Sequence, residues 1–226
     1  MKPLHYRLFL LLLFLSVGLR GSAQDFFDVH TYTCQRATAK GSFEAKVDFP
    51  VMGPAAMVSQ LRQWICEVLE VNAPKKIAEH EFPKLLDESA SDYLEDNTGK
   101  RDVLITWVYE DPDCVSFQCK ITDKDSVTWI SEDCATFSKR DGHQIQPDEV
   151  FNCSEKQIKE LMWKFRGDLP MEVGSADQLY VGDVAFIDGW ILVVGPAAHH
   201  TGAVYKIRYQ EAEPYLRHSS AGYLSE

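Results

Sequence analysis

The stretch Val184 to Leu216, VAFIDGWILVVGPAAHHTGAVYKIRYQEAEPYL, leaves the chain few choices. Asp188-Gly189 is a dipeptide favoured in two-residue hairpin turns, where both central residues take positive φ. Trp190 to Val194 after it is apolar without a break, as in a strand covered on both faces. Gly195-Pro196 should stop that strand. Val204 to Tyr209 then alternates, with Tyr205, Ile207 and Tyr209 on one face and Lys206 and Arg208 on the other. A hairpin and one further strand, feeding a short closing helix, are expected to anchor the fold.

Upstream, Phe26 to Thr38 and Ser42 to Phe49 read as an opening hairpin, in which Phe43, Ala45, Val47 and Phe49 alternate with Glu44, Lys46 and Asp48. A helix follows Gly53-Pro54, with Met57, Leu61, Trp64, Ile65 and Val68 on one stripe. Phe82, Leu85, Leu86 and Tyr93 mark a second helix that tolerates Pro83 in its first turn. Asn97-Thr-Gly99 divides an N-terminal half, 24–97, from a C-terminal half, 98–226. Three strands are expected next: Val103 to Tyr109, Cys114 to Thr122 and Val127 to Ser138. Ser154 and Gln157 form a capping box for a helix with Ile158, Leu161, Met162 and Phe165 on its stripe, ended by Gly167. Runs of strands with few helices predict an α+β fold, an antiparallel sheet with helices packed on one face.

The order of motifs in the second half resembles the extracellular domain shared by RsiV-type anti-sigma factors and some envelope peptidoglycan deacetylases, a domain of unknown function. The resemblance is carried by Asp188-Gly189, Ile191 to Val194, Pro196 to Gly202, Val204 to Tyr209 and Pro214-Tyr215-Leu216. A second piece runs through Thr136-Phe137, Asp141-Gly142, Ile145 and Asp148 to Phe151. The strand–Pro–helix order before them is similar to the smaller module that precedes that domain. In RsiV-type proteins the domain binds lysozyme, so the resemblance implies a lysozyme-like or cell-wall partner. This chain departs from the pattern where relatives carry a Gly-Ala-His-Gly-like run: Val127 to Cys134 stands there instead.

Residues 1–23 have the form of a secretory leader: Lys2 and Arg7, an apolar Leu8 to Leu15, then Gly21-Ser22-Ala23 before cleavage. The apolar run is shorter than the ~20 residues a spanning helix needs. A secreted or periplasmic location without a membrane span is therefore expected. Cleavage removes three basic and no acidic residues, leaving 20 Lys+Arg against 34 Asp+Glu. That balance argues against nucleic acid, whose phosphates need a basic footprint, and suits a basic partner. Six cysteines in an exported chain suggest disulfides. If Thr122 faces Val127, Cys114 falls nearly opposite Cys134, and that pair is the expected bridge.

No complete catalytic motif is present. His199-His200 lies in a loop without a third ligand at metal spacing, so neither a metal nor another cofactor is expected. His80-Glu81 starts like a zinc-protease helix, but Lys84 stands where the second His belongs. Asp111/Asp113 and Glu132/Asp133 are carboxylate pairs without a sign of a cleft, and Gly174-Ser175 lacks the second glycine of a nucleophile elbow. Trp163 lies about 140° from Ile158 at about 100° per residue, off the buried stripe, which makes it a candidate contact residue with His199 and His200. Its competing explanation is packing against another element, and Trp129 and Trp190 are expected in the core. Three readings remain. One is a non-catalytic envelope module that binds a glycan or a secreted protein such as lysozyme. Another is an envelope glycan hydrolase or deacetylase with an unrecognised site, for which a chelator or loss of His199 and His200 would abolish turnover; a purely structural domain without a ligand is the third reading.

Overall fold

The computed structural model describes residues 26–217 apart from 73 and 172, so the expected leader lies outside the described residues. The elements follow in the order β1 (Asp28–Ala37), β2 (Gly41–Met52), α1 (Ala55–Val68), α2 (Phe82–Asp96), β3 (Gly99–Glu110), β4 (Cys114–Lys124) and β5 (Thr128–Ser138). Then come α3 (Pro147–Val150), α4 (Glu155–Lys164), β6 (Val184–Ile187), β7 (Trp190–Ala197), β8 (His200–Arg208) and α5 (Tyr209–Ala212). The strands form one sheet in the order β1-β2-β3-β4-β5-β8-β7-β6. The architecture is α+β, but the sheet is mixed rather than antiparallel: β2 runs parallel to β3, and β5 parallel to β8. Both parallel junctions span long connections, α1 and α2 in one case and α3 through β7 in the other. Such crossovers return the chain to its starting end, which local hairpin signals do not reveal.

Two cores result from the alternation of side chains. Phe43, Ala45, Val47 and Phe49 of β2 join Val115, Phe117, Ala135 and Phe137 of β4 and β5 in the first. Met57, Leu61, Trp64 and Ile65 of α1 and Leu85, Leu86 and Tyr93 of α2 belong to it too. The opposite face of β4 and β5 is also buried, through Cys114, Ser116, Cys134 and Thr136. Its cover is the C-terminal hairpin: Cys134 clusters with Ala185, Leu192, Val194 and Val204. The other parity of that hairpin, Phe186, Ile191, Val193, Tyr205 and Ile207, packs with Ile158, Leu161 and Met162 of α4. The strand expected to be covered on both faces is therefore covered on both. A fully buried large apolar side chain contributes about 1.5–3 kcal/mol against about 1 kcal/mol net for a hydrogen bond, so this two-sided burial dominates.

β3 serves both cores by turning over. Its register slips between Trp107 and Tyr109, and Trp107 packs in the first core while Tyr109 packs in the second. One extra residue in a bulge reverses the side-chain parity of everything after it. Gly142 fixes the approach of α1 to the loop after β5: with φ 81, a Cβ there would stand 2.5 Å from the carbonyl carbon of Ala56. Only glycine fits that position.

β6 ends the sheet among the described residues, and two hydroxyls on β4 and β5 bond its outward backbone groups. The Phe186 N–H donates to Ser116 Oγ at 3.1 Å, and Thr136 Oγ1 donates to the Val184 carbonyl at 3.2 Å. The hydroxyls are 2.8 Å apart. A carbonyl only accepts, so the Thr136 proton points to Val184 and the Ser116 proton to Thr136. The chain of bonds has one direction, and both side chains are fully buried.

Several local expectations change. β7 runs through Gly195-Pro196 to Ala197, with a slip in register between Gly195 and Ala197. Gly189 has positive φ, but Asp188 does not. The β4–β5 loop is Asp125-Ser126-Val127, with Lys124 opposite Thr128, so Thr122 faces Ile130 rather than Val127. Loop length sets register. Consequently Cys114 faces Ser138 and Cys134 faces Gln118. Four residues of strand separate the two positions, about 13 Å at the usual rise and beyond the ~7 Å limit for a disulfide. The expected Cys114–Cys134 bridge is not made, and all six cysteines are free.

Replacing Thr136 by Val keeps the shape and removes the donor to a buried carbonyl. Thr136→Val should lower the unfolding free energy by about 1–3 kcal/mol in a urea titration. An unchanged midpoint would mean that packing alone holds β6.

Candidate functional site

β4 and β5 extend beyond the helix-covered part of the sheet and end beside the C-terminus of α2. Between them lies a cleft of about 430 Å³, walled by Tyr93, Asp96 and Asn97 on one side and Asp123, Asp125, Val127 and Trp129 on the other. Trp129 is 49% exposed and Val127 47% exposed. Trp129 shares the face of β5 that carries Ala135 and Phe137, but it stands near the loop, where α2 has ended. Alternation gave the correct face for a core residue. The length of the covering helix makes it a surface residue instead.

The β7–β8 turn brings His199 to this tryptophan. His199 has φ 59 and is exposed, and its ring meets Trp129 edge-on at 5.5 Å. Its carbonyl accepts the Ile130 N–H at 3.1 Å, and His200 stands opposite Ile130 where β8 joins β5. His200 is half-buried, with Nδ1 lacking a hydrogen-bond partner among the described residues. Trp163 belongs elsewhere. It packs on the second core, with the Arg166 guanidinium 4.2 Å from its ring centre. Trp190 is half-buried, with Arg208 over its ring at 5.5 Å. The structure thus brings His199 against a tryptophan expected in the core, places His200 opposite the neighbouring Ile130, and leaves Trp163 apart.

Its charge is negative at the rim. Arg101 is already engaged: it donates to both oxygens of Asp123 at 2.7 and 2.8 Å, lies 4.5 Å from the Tyr93 ring centre, and approaches Glu70 at 3.7 Å. Lys124 pairs with Asp102 at 3.3 Å. Asp96 and Asp125 line the cleft without an ion pair among the described residues. A smaller depression of about 330 Å³ shares Tyr93, Asp96 and Asn97 and adds Glu70, Asp92 and Arg101. An aromatic wall with unpaired carboxylates around it favours a cationic or polyhydroxylated ligand.

Reactive groups are arranged poorly for catalysis. Burial pushes every thiol above its ordinary value, Cys66 to about 11 and Cys119 to about 12. None is an activated nucleophile. His143 has Nδ1 2.6 Å from Asp141 and Nε2 3.0 Å from Glu149. These bonds hold its pKa above the ordinary value and draw Asp141 down to about 2. With both ring nitrogens engaged, His143 has none left for proton transfer to a ligand. No group of three or more His, Cys, Asp or Glu among the described residues could hold a metal ion.

No family model matches this sequence, and no curated protein matches it. Solved structures do. A DUF3298 family protein from Pseudomonas aeruginosa PAO1 aligns with a TM-score of 0.53 at 9% identity, covering 88% of this chain and 98% of that one. A member of the same family from Bacteroides fragilis NCTC 9343 aligns with a TM-score of 0.51 at 13% identity, covering 85% of this chain and 93% of the other. At these identities the likeness is one of fold. It fits the expected domain of unknown function, and neither neighbour is described as an anti-sigma factor or a deacetylase.

One carboxyl near the site has a testable titration. Burial, and then the charge of Asp183, push Asp133 up to about 6, opposed by the Cys134 N–H that donates to it at 2.8 Å. A carboxyl whose folded pKa is raised binds more protons in the native state, so stability falls as pH rises from roughly 4 through 6. Asp133→Asn keeps an acceptor for the Cys134 N–H and removes the charge. Its melting temperature should exceed that of the parent by several degrees at pH 7.5 and lose that advantage at pH 4. A variant less stable at pH 7.5 would show that the ionised carboxylate is stabilising.

Proposed function

We propose that this protein is an exported, non-catalytic binding module of the bacterial envelope. It engages a cell-wall glycan or a basic secreted protein such as lysozyme through the cleft between α2 and the β4–β5 loop. The observation that carries this reading is the half-exposed Trp129, braced by His199 and bordered by Asp96 and Asp125. An aromatic side chain held rigidly at a surface is a common anchor for a partner, and nearby carboxylates steer a cationic one. The excess of 34 Asp+Glu over 23 Lys+Arg acts in the same direction. Export follows from the form of residues 1–23, with cleavage after Ala23. The partner class follows from the resemblance of the C-terminal motifs to RsiV-type domains.

Immobilised protein at low salt should retain lysozyme or soluble peptidoglycan fragments. Trp129→Ala should weaken retention by about tenfold or more. Retention of lysozyme should fall with added salt, and retention of an uncharged glycan should not. Failure to retain either ligand across a salt series would refute the reading. Retention unaffected by Trp129→Ala would place the binding surface elsewhere.

A further inference from the structure

A second cavity, of about 520 Å³, has the opposite charge. It opens where β2 ends and α1 begins, with apolar walls from Val51, Met52, Val58 and Ile77. Its volume lies within the range of about 300–1,000 Å³ typical of small-molecule sites. Among the described residues, the charged side chains that line it are Arg62 and Lys76, and no carboxylate does. In a chain with 34 acidic and 23 basic residues, a cavity whose charged lining is entirely cationic is not an average patch of surface.

Arg62 is held rigidly there. Its Nε and Nη2 donate to the Pro50 carbonyl at 2.9 and 2.8 Å, and Nη1 to the Ile77 carbonyl at 2.7 Å. Its guanidinium carbon lies 5.0 Å from the Phe49 ring centre. These contacts fix the group without neutralising it, and they use three of the five N–H donors of a guanidinium. Glu79 is the acid that acts on Arg62, but from beyond ion-pair distance. Its carboxylate accepts from the Tyr32 hydroxyl at 3.2 Å and lies 3.4 Å from His30. The first turn of α1 contains no acidic residue. The apolar part of the cavity reaches solvent at Met52, which is 49% exposed.

We propose that this cavity binds a single-chain amphiphile with an anionic head group, a carboxylate or a phosphate monoester. Arg62 and Lys76 receive the head, and Val51, Met52, Val58 and Ile77 cover the chain. Burial of the chain supplies area-dependent affinity, and the fixed guanidinium supplies selectivity for sign. The site does not depend on the function assigned to the Trp129 cleft, whose rim is acidic.

Isothermal titration of the purified chain tests this directly, with dodecanoate, dodecyl phosphate, dodecyltrimethylammonium and acetate, each below its micelle-forming concentration. Dodecanoate, dodecyl phosphate or both should bind with one ligand per chain, and the cationic amphiphile and acetate about tenfold or more weaker. Ser59→Glu places a negative charge on the cavity wall and leaves the bonds of Arg62 intact, and Lys76→Glu reverses one of the two cations. Each should weaken binding by about tenfold or more, while Asp96→Asn in the other cleft should leave it unchanged. Equal affinity for anionic and cationic amphiphiles, equal affinity for acetate, or binding untouched by Ser59→Glu would overturn the proposal.

Discussion

The interaction on which the rest of the structure depends is the one-way chain of bonds from Phe186 N–H through Ser116 and Thr136 to the Val184 carbonyl. Among the described residues, β6 pairs with β7 alone. Its remaining polar backbone groups are pressed against β4 and β5, away from water, where an unsatisfied group costs about 1–3 kcal/mol. Two neutral hydroxyls meet that requirement without bringing charge into the interior. They thereby allow the last three strands to lie over the middle of their own sheet. The small apolar cluster around Cys134, Ala185 and Leu192 forms on the same interface. Without the hydroxyls, the same hydrophobic surfaces would have to bury bare donors and acceptors.

That arrangement also explains the site. β4 and β5 are covered by helices on one face and by the C-terminal hairpin on the other, so their shared end projects from a rigid base. The β7–β8 turn belongs to the covering layer, and its carbonyl at His199 is bonded to β5 at Ile130. Trp129 is therefore oriented from both sides, by its own strand and by the turn. A preorganised aromatic loses little side-chain freedom on binding, which favours recognition over chemistry at this place. Four of the six thiols are buried and two half-buried, and His143 has both ring nitrogens hydrogen-bonded.

Much of the fold was legible where a single segment carries the information. The alternation in β2, the stripe of α1, the capping box at Ser154 and the apolar run of β7 all have their causes within about a dozen residues. The parallel β2–β3 and β5–β8 junctions depend on where long crossovers land, and no local pattern encodes that. The Cys114–Cys134 pairing failed because the loop closes with Lys124 opposite Thr128, which sets Thr122 against Ile130 and not Val127. For the site, the histidines were visible as an unusual loop pair. Their partner Trp129 was misplaced because its alternation is that of a core residue, and only the end of α2 at Asp96 exposes it. Asp96 and Asp125 gave no signal, since one closes a helix and the other sits in a turn, and only the tertiary fold brings them to one cleft. Arg62 was equally silent, because a single arginine on a helix has no signature until its carbonyl partners are known.

The most direct test of the central claim is native-state hydrogen exchange at the Phe186 amide, read residue by residue. This amide donates to the Ser116 hydroxyl of β4 at 3.1 Å. If the hydroxyl chain holds β6 against β4 and β5, the Phe186 amide exchanges with the slowest class and opens only with global unfolding. Exchange at the rate of the surface loops, with β4 and β5 still protected, would contradict the account.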